Sequence, residues 1–319
     1  MAAQAEPTAA AADMAALHEE DGFGCHLLEL SHDGLGVIVD GLADPLQPVV
    51  AVALSSTCKG LRTPLRPSLA VLKEQHEGAK ALCGQRYSSG GLHRLYDEKR
   101  LTWGGRIFTS DGMVSLNMIL RTRGLPVLQH LDLYNSGDRL ASYSGGDGDA
   151  SITALCDGLG RGVLPSLQIL DLTNITLGTT GAQALAAALR RGAMPMLETL
   201  SFNANPLGDE GAAALAPPLR KLSALKELLL TSCKVGDAGV ASLFGDLGED
   251  EFKALEVLRL VRNEMTDAGC ATLVAAMGGM PRLSLLRVEH NLASEAAERA
   301  VQQRLHHDFE QLALHGTLM

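Results

Sequence analysis

One leucine spacing recurs along this chain and limits what it can fold into. LxxLxL occurs at Leu128-Leu131-Leu133, Leu167-Leu170-Leu172, Leu225-Leu228-Leu230 and Leu255-Leu258-Leu260, with weaker copies at Leu197-Leu200-Phe202 and Leu283-Leu286-Val288. The starts at 167, 197, 225, 255 and 283 are separated by 30, 28, 30 and 28 residues. Copies run into a Gly-Asp or similar turn and an Ala/Leu/Val-rich stretch, as in Leu207-Gly208-Asp209-Glu210-Gly211 before AAALAPPL. The apolar period changes there from two to about 3.6, which is a short strand followed by an amphipathic helix. One such unit cannot bury its apolar face alone, so units must stack. The expected fold class is α/β, a horseshoe with a parallel strand ladder inside and helices outside.

The step from Leu128 to Leu167 is 39 residues, and its surplus lies in SGDRLASYSGGDGDA, an insertion at 136–150. Projected backward, Leu101, Trp103, Phe108 and the Asp111-Gly112 turn fit a degenerate copy starting near Glu98, giving about seven repeats over 98–293. The segment SEAAERAVQQRLHHDFEQLAL keeps helical spacing through Ala297, Val301, Leu305, Phe309 and Leu312 but starts no strand. It reads as the C-terminal helical cap that repeat arrays need, over 294–319.

Composition narrows the function classes. There are 56 Leu among 319 residues but only eleven Phe, Trp and Tyr, and the net charge is -10. An acidic chain with few aromatics lacks both the phosphate attraction and the stacking platforms of a nucleic-acid binder. No run of 18 apolar residues suggests a membrane span. The six cysteines lie at least 25 residues apart, with no CxxC pair or Cys/His cluster, and read as reduced thiols. The Ala-rich start carries Glu and Asp and no basic stretch ahead of an apolar one, so it does not read as a secretory signal. Residues 1–21 are expected to be a disordered tail, and the protein is placed in the cytoplasm, the nucleus or both.

The repeat LxxLxLxxNxL followed by a GDxG-like turn and a long helix resembles the ribonuclease-inhibitor class of leucine-rich repeats. That family ties its turn backbone through Asn or Cys at the ninth position, held here by Ser136, Ile175, Asn205, Cys233, Asn263 and Asn291. Ile175 departs from the pattern. Neighbouring Asn174 could replace it only if the turn shifted by one residue.

Upstream, the pattern is helical: Leu30, Leu35, Ile38 and Leu42, an Asp44-Pro45-Leu46 break, then Val49, Val52, Ala53 and Leu54. The spacings predict helices from about Asp33 to Leu42, Gln47 to Leu61 and Pro67 to Cys83, a module over 22–83 joined by a linker (84–97). The stretch resembles an F-box, the helical module that docks on the Skp-type adaptor of cullin (SCF) ubiquitin ligases. The likeness rests on Leu30, Leu35, Ile38, Leu42, Asp44-Pro45-Leu46, Leu54, Cys58, Lys59 and Arg62. It departs from the family at Ser31, where Pro is usual, and at Gly60-Leu61, near the usual Trp. The resemblance implies that Leu30, Leu35, Ile38, Leu42, Pro45, Leu46 and Leu54 form an adaptor-binding surface. An N-terminal cap on the repeats is the alternative reading.

Catalytic signatures do not appear: there is no P-loop, GxSxG, HExxH or EF-hand pattern. His306, His307 and Asp308 are adjacent on a helix and point about 100° apart, which suits solvent better than a metal. Cys233 is expected to be buried by its ladder position. No catalytic residue, metal or cofactor is expected. The candidate site is the concave strand face, where the fifth and seventh positions present Asp132, Tyr134, Asp171, Asn203, Leu229, Arg259, Arg287 and Glu289, with Arg262 beside them. Charge changes from acidic to basic along the array, which suits a dipolar protein partner. The sequence thus reads as a non-catalytic protein–protein interaction protein and, through the F-box resemblance, as the substrate-recognition subunit of an SCF ligase. The rivals are a free-standing ribonuclease-inhibitor-like scaffold and, less favoured, a Ran-type GTPase-activating protein.

Overall fold

The computed structural model describes residues 43–45, 48–57, 65–83, 92–102, 110–134 and 148–314. The chain divides into two compact units, Met1–Ala43 with Val49–Val71 and Asp44–Pro48 with Leu72–Met319. In the first, α1 (Val49–Thr57) buries Ala51 and exposes Val49, Val50 and Val52. Helix α2 (Arg66–Cys83) crosses the division, and its later residues Ala79 and Leu82 belong to the core of the second unit.

The second unit is a leucine-rich-repeat horseshoe. Seven three-residue strands follow one another in sequence order in one sheet: β1 (Arg100–Thr102), β2 (His130–Asp132), β3 (Ile169–Asp171), β4 (Thr199–Ser201), β5 (Glu227–Leu229), β6 (Val257–Arg259) and β7 (Leu285–Arg287). All neighbours pair in parallel and in one register, so Leu101, Leu131, Leu170, Leu200, Leu228, Leu258 and Leu286 form a single ladder. Every rung is buried, because the alternation of a strand sends this middle side chain toward the helices and its two neighbours the other way. The helices that return the chain are α3 (Ser110–Thr122), α4 (Gly148–Cys156), α5 (Thr179–Arg190), α6 (Gly208–Arg220), α7 (Asp237–Phe244) and α8 (Asp267–Ala276).

Beyond each of β3–β7 the backbone turns through a left-handed residue at the eighth position of the repeat: Asn174, Ala204, Ser232, Arg262 and His290 have φ between 55 and 62. The ninth side chain then ties the turn to the preceding repeat. Asn205 Oδ1 accepts from the amides of Ile175 and Leu177 at 3.0 and 2.9 Å, and its Nδ2 donates to the carbonyls of Leu172 and Phe202 at 2.7 Å each. Asn263 does the same for Cys233, Val235 and Leu230. At the exceptional repeat the turn does not shift. Ile175 keeps the ninth position and is buried, while Asn174 takes the left-handed eighth position like its counterparts. The Asn of the following repeat accepts from the Ile175 and Leu177 amides, as Asn263 does for Cys233 and Val235, so this turn is tied although Ile175 offers no polar side chain to the repeat before it.

A second tie runs along the helix starts. Asp209 Oδ1 accepts from the amides of Gly236 and Gly239 at 2.7 and 2.9 Å, Asp149 binds Gly178 and Gly181 alike, and Asp237 binds Thr266 and Gly269. Each carboxylate therefore meets the N-terminal amides of the next helix, where negative charge is favoured. The approach explains the second glycine of GDxG: a Cβ on Gly239 would lie 2.7 Å from Asp209 Oδ1. At the far end, α9 (Glu295–Leu314) buries Val301 and packs Ala297 and Leu305 on the core, and Gln302 Nε2 donates to the Leu286 carbonyl of β7 at 2.9 Å.

Candidate binding face on the inner side of the sheet

Because the leucine ladder points to the helices, the residues on either side of each rung line the opposite, inner face. Over β2–β4 their polar groups are engaged within the chain. Asp132, expected as an open acidic site, is only 5% exposed, and its Oδ2 accepts from Arg100 Nε and Nη2 at 3.1 and 3.0 Å and from Thr102 Oγ1 at 3.2 Å. Arg100 was not among the residues expected to shape this face, and its guanidinium cancels the Asp132 charge. Tyr134 is half-buried. Asp171 Oδ1 accepts from the amide and hydroxyl of Thr173 at 2.9 and 2.5 Å, and Thr173 Oγ1 meets Ser201 Oγ at 2.9 Å. Asn203 Oδ1 accepts from the amide of Thr231 at 2.9 Å.

Over β5–β7 the face is different. Leu229, Val257, Val261 and Leu285 are half-buried rather than openly exposed. Arg259 and Arg262 are exposed, and neither has an ion pair among the described residues. Arg287 lies directly across from Arg259 in the ladder but is paired with half-buried Glu289 at 3.0 Å. Of the three arginines at this end, two have no ion pair among the described residues and one is compensated. The gradient along the face is also shallower than residue order implies, since Asp132 is neutralised and Asp171 is hydrogen-bonded.

The adaptor surface expected upstream is described only in part. Leu30, Leu35, Ile38, Leu42 and Leu46 lie outside the described residues, and Leu54 is on α1. Pro45, expected on the docking surface, is instead buried: its carbonyl accepts from His76 Nδ1 at 2.5 Å, and Tyr96 donates its hydroxyl to neighbouring Asp44 at 2.7 Å. Burial raises the Tyr96 phenol above its ordinary range, and the Asp44 carboxylate adds to the effect.

The thiols are quiet. Burial pushes Cys156 and Cys233 up to about 12 and raises Cys270 as well, so all three are protonated near neutral pH and poor nucleophiles. Cys233 instead donates to the Phe202 carbonyl at 3.2 Å, the position Asn263 fills on Leu230. His306 and His307 are exposed on α9, and no group of three or more potential metal ligands gathers among the described residues. No helix of the described residues is long and apolar enough to cross a membrane.

A family model described as Leucine Rich repeat matches residues 193–216 and 221–244. Among solved structures, an internalin from Listeria monocytogenes is similar at 16% identity with a TM-score of 0.30, over 71% of this chain and 65% of the internalin chain. The match thus spans just under two thirds of that protein's length. No curated protein sequence matches this chain. Leucine-rich repeats are present in the chain, carried on an α/β parallel ladder.

Proposed function

We propose that the chain is a non-catalytic interaction protein that holds a protein partner on the inner sheet face, with ribonuclease-inhibitor-type repeats as the scaffold. The observation that carries this reading is the open face of β5–β7, where two uncompensated arginines stand among half-buried apolar side chains on a rigid ladder. Rigid elements presenting preformed groups keep the ordering cost of binding low. The finer proposal is that the N-terminal module docks on a Skp-type adaptor and the partner is a protein to be ubiquitinated, in the cytoplasm or nucleus. Its support is the F-box resemblance and the order of the parts, a small helical module followed by leucine-rich repeats.

A second reading has its own observation. Buried Pro45, tied by His76, and the entry of Ala79 and Leu82 into the repeat core are what an N-terminal cap would show. Co-purification of the full chain with a recombinant Skp-type adaptor separates the two, using a Leu35→Asp, Ile38→Asp variant. The ligase reading expects the parent to bind and the variant to lose binding while its thermal transition stays intact. An unbound parent, or a variant whose repeats melt early, assigns the module to capping.

A further inference from the structure

We infer that the inner face over β5–β7 receives an acidic, partly apolar extended segment of a protein partner, with its carboxylates on Arg259 and Arg262; the inference rests on the reading of the array as a binding scaffold. Register supplies the first argument. Arg259 and Arg287 are direct partners on adjacent parallel strands, so their backbones stand about 4.8 Å apart. Like charges placed directly opposite one another destabilise a sheet. Glu289 relieves Arg287 at 3.0 Å, but Arg259 is left facing a cation with no ion-pair partner among the described residues. A carboxylate between the two guanidiniums would remove the repulsion and fit the fork geometry of Arg.

Position supplies the second argument. Arg262 sits three residues beyond Arg259 in the left-handed turn, φ 55, and is exposed. The two are at most about 10 Å apart along the strand direction, within the reach of two acidic side chains on one extended segment. Beside Arg259 lie Leu229, its partner on β5, Val257, two residues before it, and Leu285, paired with Val257, all half-buried. Apolar side chains of the segment would cover these, so the partner combines acidic and apolar residues rather than being a plain polyanion.

Charge contrast supplies the third argument. The whole chain carries -10, while this patch sets Arg259, Arg262 and Arg287 against Glu227 and Glu289, one positive charge net. Acidic segments are repelled elsewhere and attracted here, which gives discrimination by both signs. Along β1 and β2 the one comparable cation, Arg100, is already spent on Asp132.

The test uses the full chain and a fluorescein-labelled twelve-residue peptide in which Glu alternates with Leu or Ala, read by anisotropy. The Glu peptide should bind, and affinity should fall at least about tenfold in Arg259→Glu, Arg262→Glu and between about 0.1 M and about 1 M salt. The same peptide with Lys for Glu should not bind, and Asp171→Asn should change affinity by no more than about twofold. Arg259→Gln, Arg262→Gln serves as the milder pair, and both pairs should melt with the parent. The inference is overturned if the Glu peptide fails to bind, if the Lys peptide binds as well, or if both Arg pairs bind like the parent. If a Gln-for-Glu peptide binds as the Glu peptide does and is lost only in Leu229→Lys, the charge inference fails while the scaffold reading stands. If no peptide and no captured partner responds to any inner-face change, both fail.

Discussion

The two halves of the inner face are built on the same backbone and put their side chains to different uses. Over β2–β4, Asp132, Asp171, Thr173 and Asn203 all bond within the chain, to groups on their own or an adjacent strand. Over β5–β7, Leu229, Arg259 and Arg262 make no such side-chain bond among the described residues, and only Arg287 is paired. Both halves carry the leucine ladder, left-handed eighth residues and an Asn tie, at Asn205 in one and Asn263 in the other, so the backbone does not account for the difference. The difference is whether a polar side chain finds a complement on its own strand or the next. Where it does, the residue serves the fold; where it does not, the residue is left for something outside the chain.

That contrast predicts where substitutions hurt stability. The largest effect is expected below the face, in the ladder common to both halves: Leu200→Ala and Leu228→Ala should each cost about 2–5 kcal/mol, since both are fully buried. Urea denaturation checks this, and a markedly cheaper loss at one of them would mean that the halves differ in their core and not only on their surface. Asn205→Ala should cost about 2–3 kcal/mol by stranding the buried amides of Ile175 and Leu177. Comparison with Asn263→Ala, which strands the equivalent amides of Cys233 and Val235, should give the same cost if the tie is uniform along the array.

A smaller effect depends on pH. Burial alone would raise the Asp237 carboxyl, but hydrogen bonds from the Thr266 hydroxyl and the amides of Thr266 and Gly269 outweigh it and hold the group below its ordinary value of 3.8. A depressed carboxyl contributes stability that is whole above the unfolded-state value and is lost as pH falls through the folded-state value. Asp237→Ala should therefore be less stable than the parent by about 1 kcal/mol at pH 6, with the gap closing as pH falls below about 4. A gap that stays constant to pH 3 in thermal melts would show that the carboxylate charge is not what ties these repeats.

The ladder was readable because its signal repeats: Leu131, Leu170, Leu200, Leu228, Leu258 and Leu286 each sit at the fourth position of an aligned copy. The Asn ties followed from the same alignment. The Arg100–Asp132 pair did not, because it joins residues 32 apart and one of them lies in the most degenerate copy, where only a firm register brings them together. The Arg287–Glu289 pair was within reach, since residues two apart on one strand share a face. The Asp149, Asp209 and Asp237 clamps were visible as a recurring Gly-Asp or Asp turn, but their meaning depends on the next helix presenting bare amides, a geometric fact no single repeat contains. Pro45 is buried with its carbonyl bonded by His76, 31 residues away, a contact that no local spacing announces.

The most direct test of the contrast between the halves is a pair of thermal unfolding curves, Asp132→Ala, Asp171→Ala against Arg259→Ala, Arg262→Ala. The first pair removes groups bonded inside the fold, for about 2 kcal/mol, and should lower Tm by at least about 4 °C. The second removes exposed charges worth at most about 1 kcal/mol each and should leave Tm within about 1 °C or raise it slightly, since one loss relieves the Arg259–Arg287 repulsion. Equal losses in the two pairs, or a larger loss in the arginine pair, would contradict the division of the inner face into a half that serves the fold and a half left for a partner.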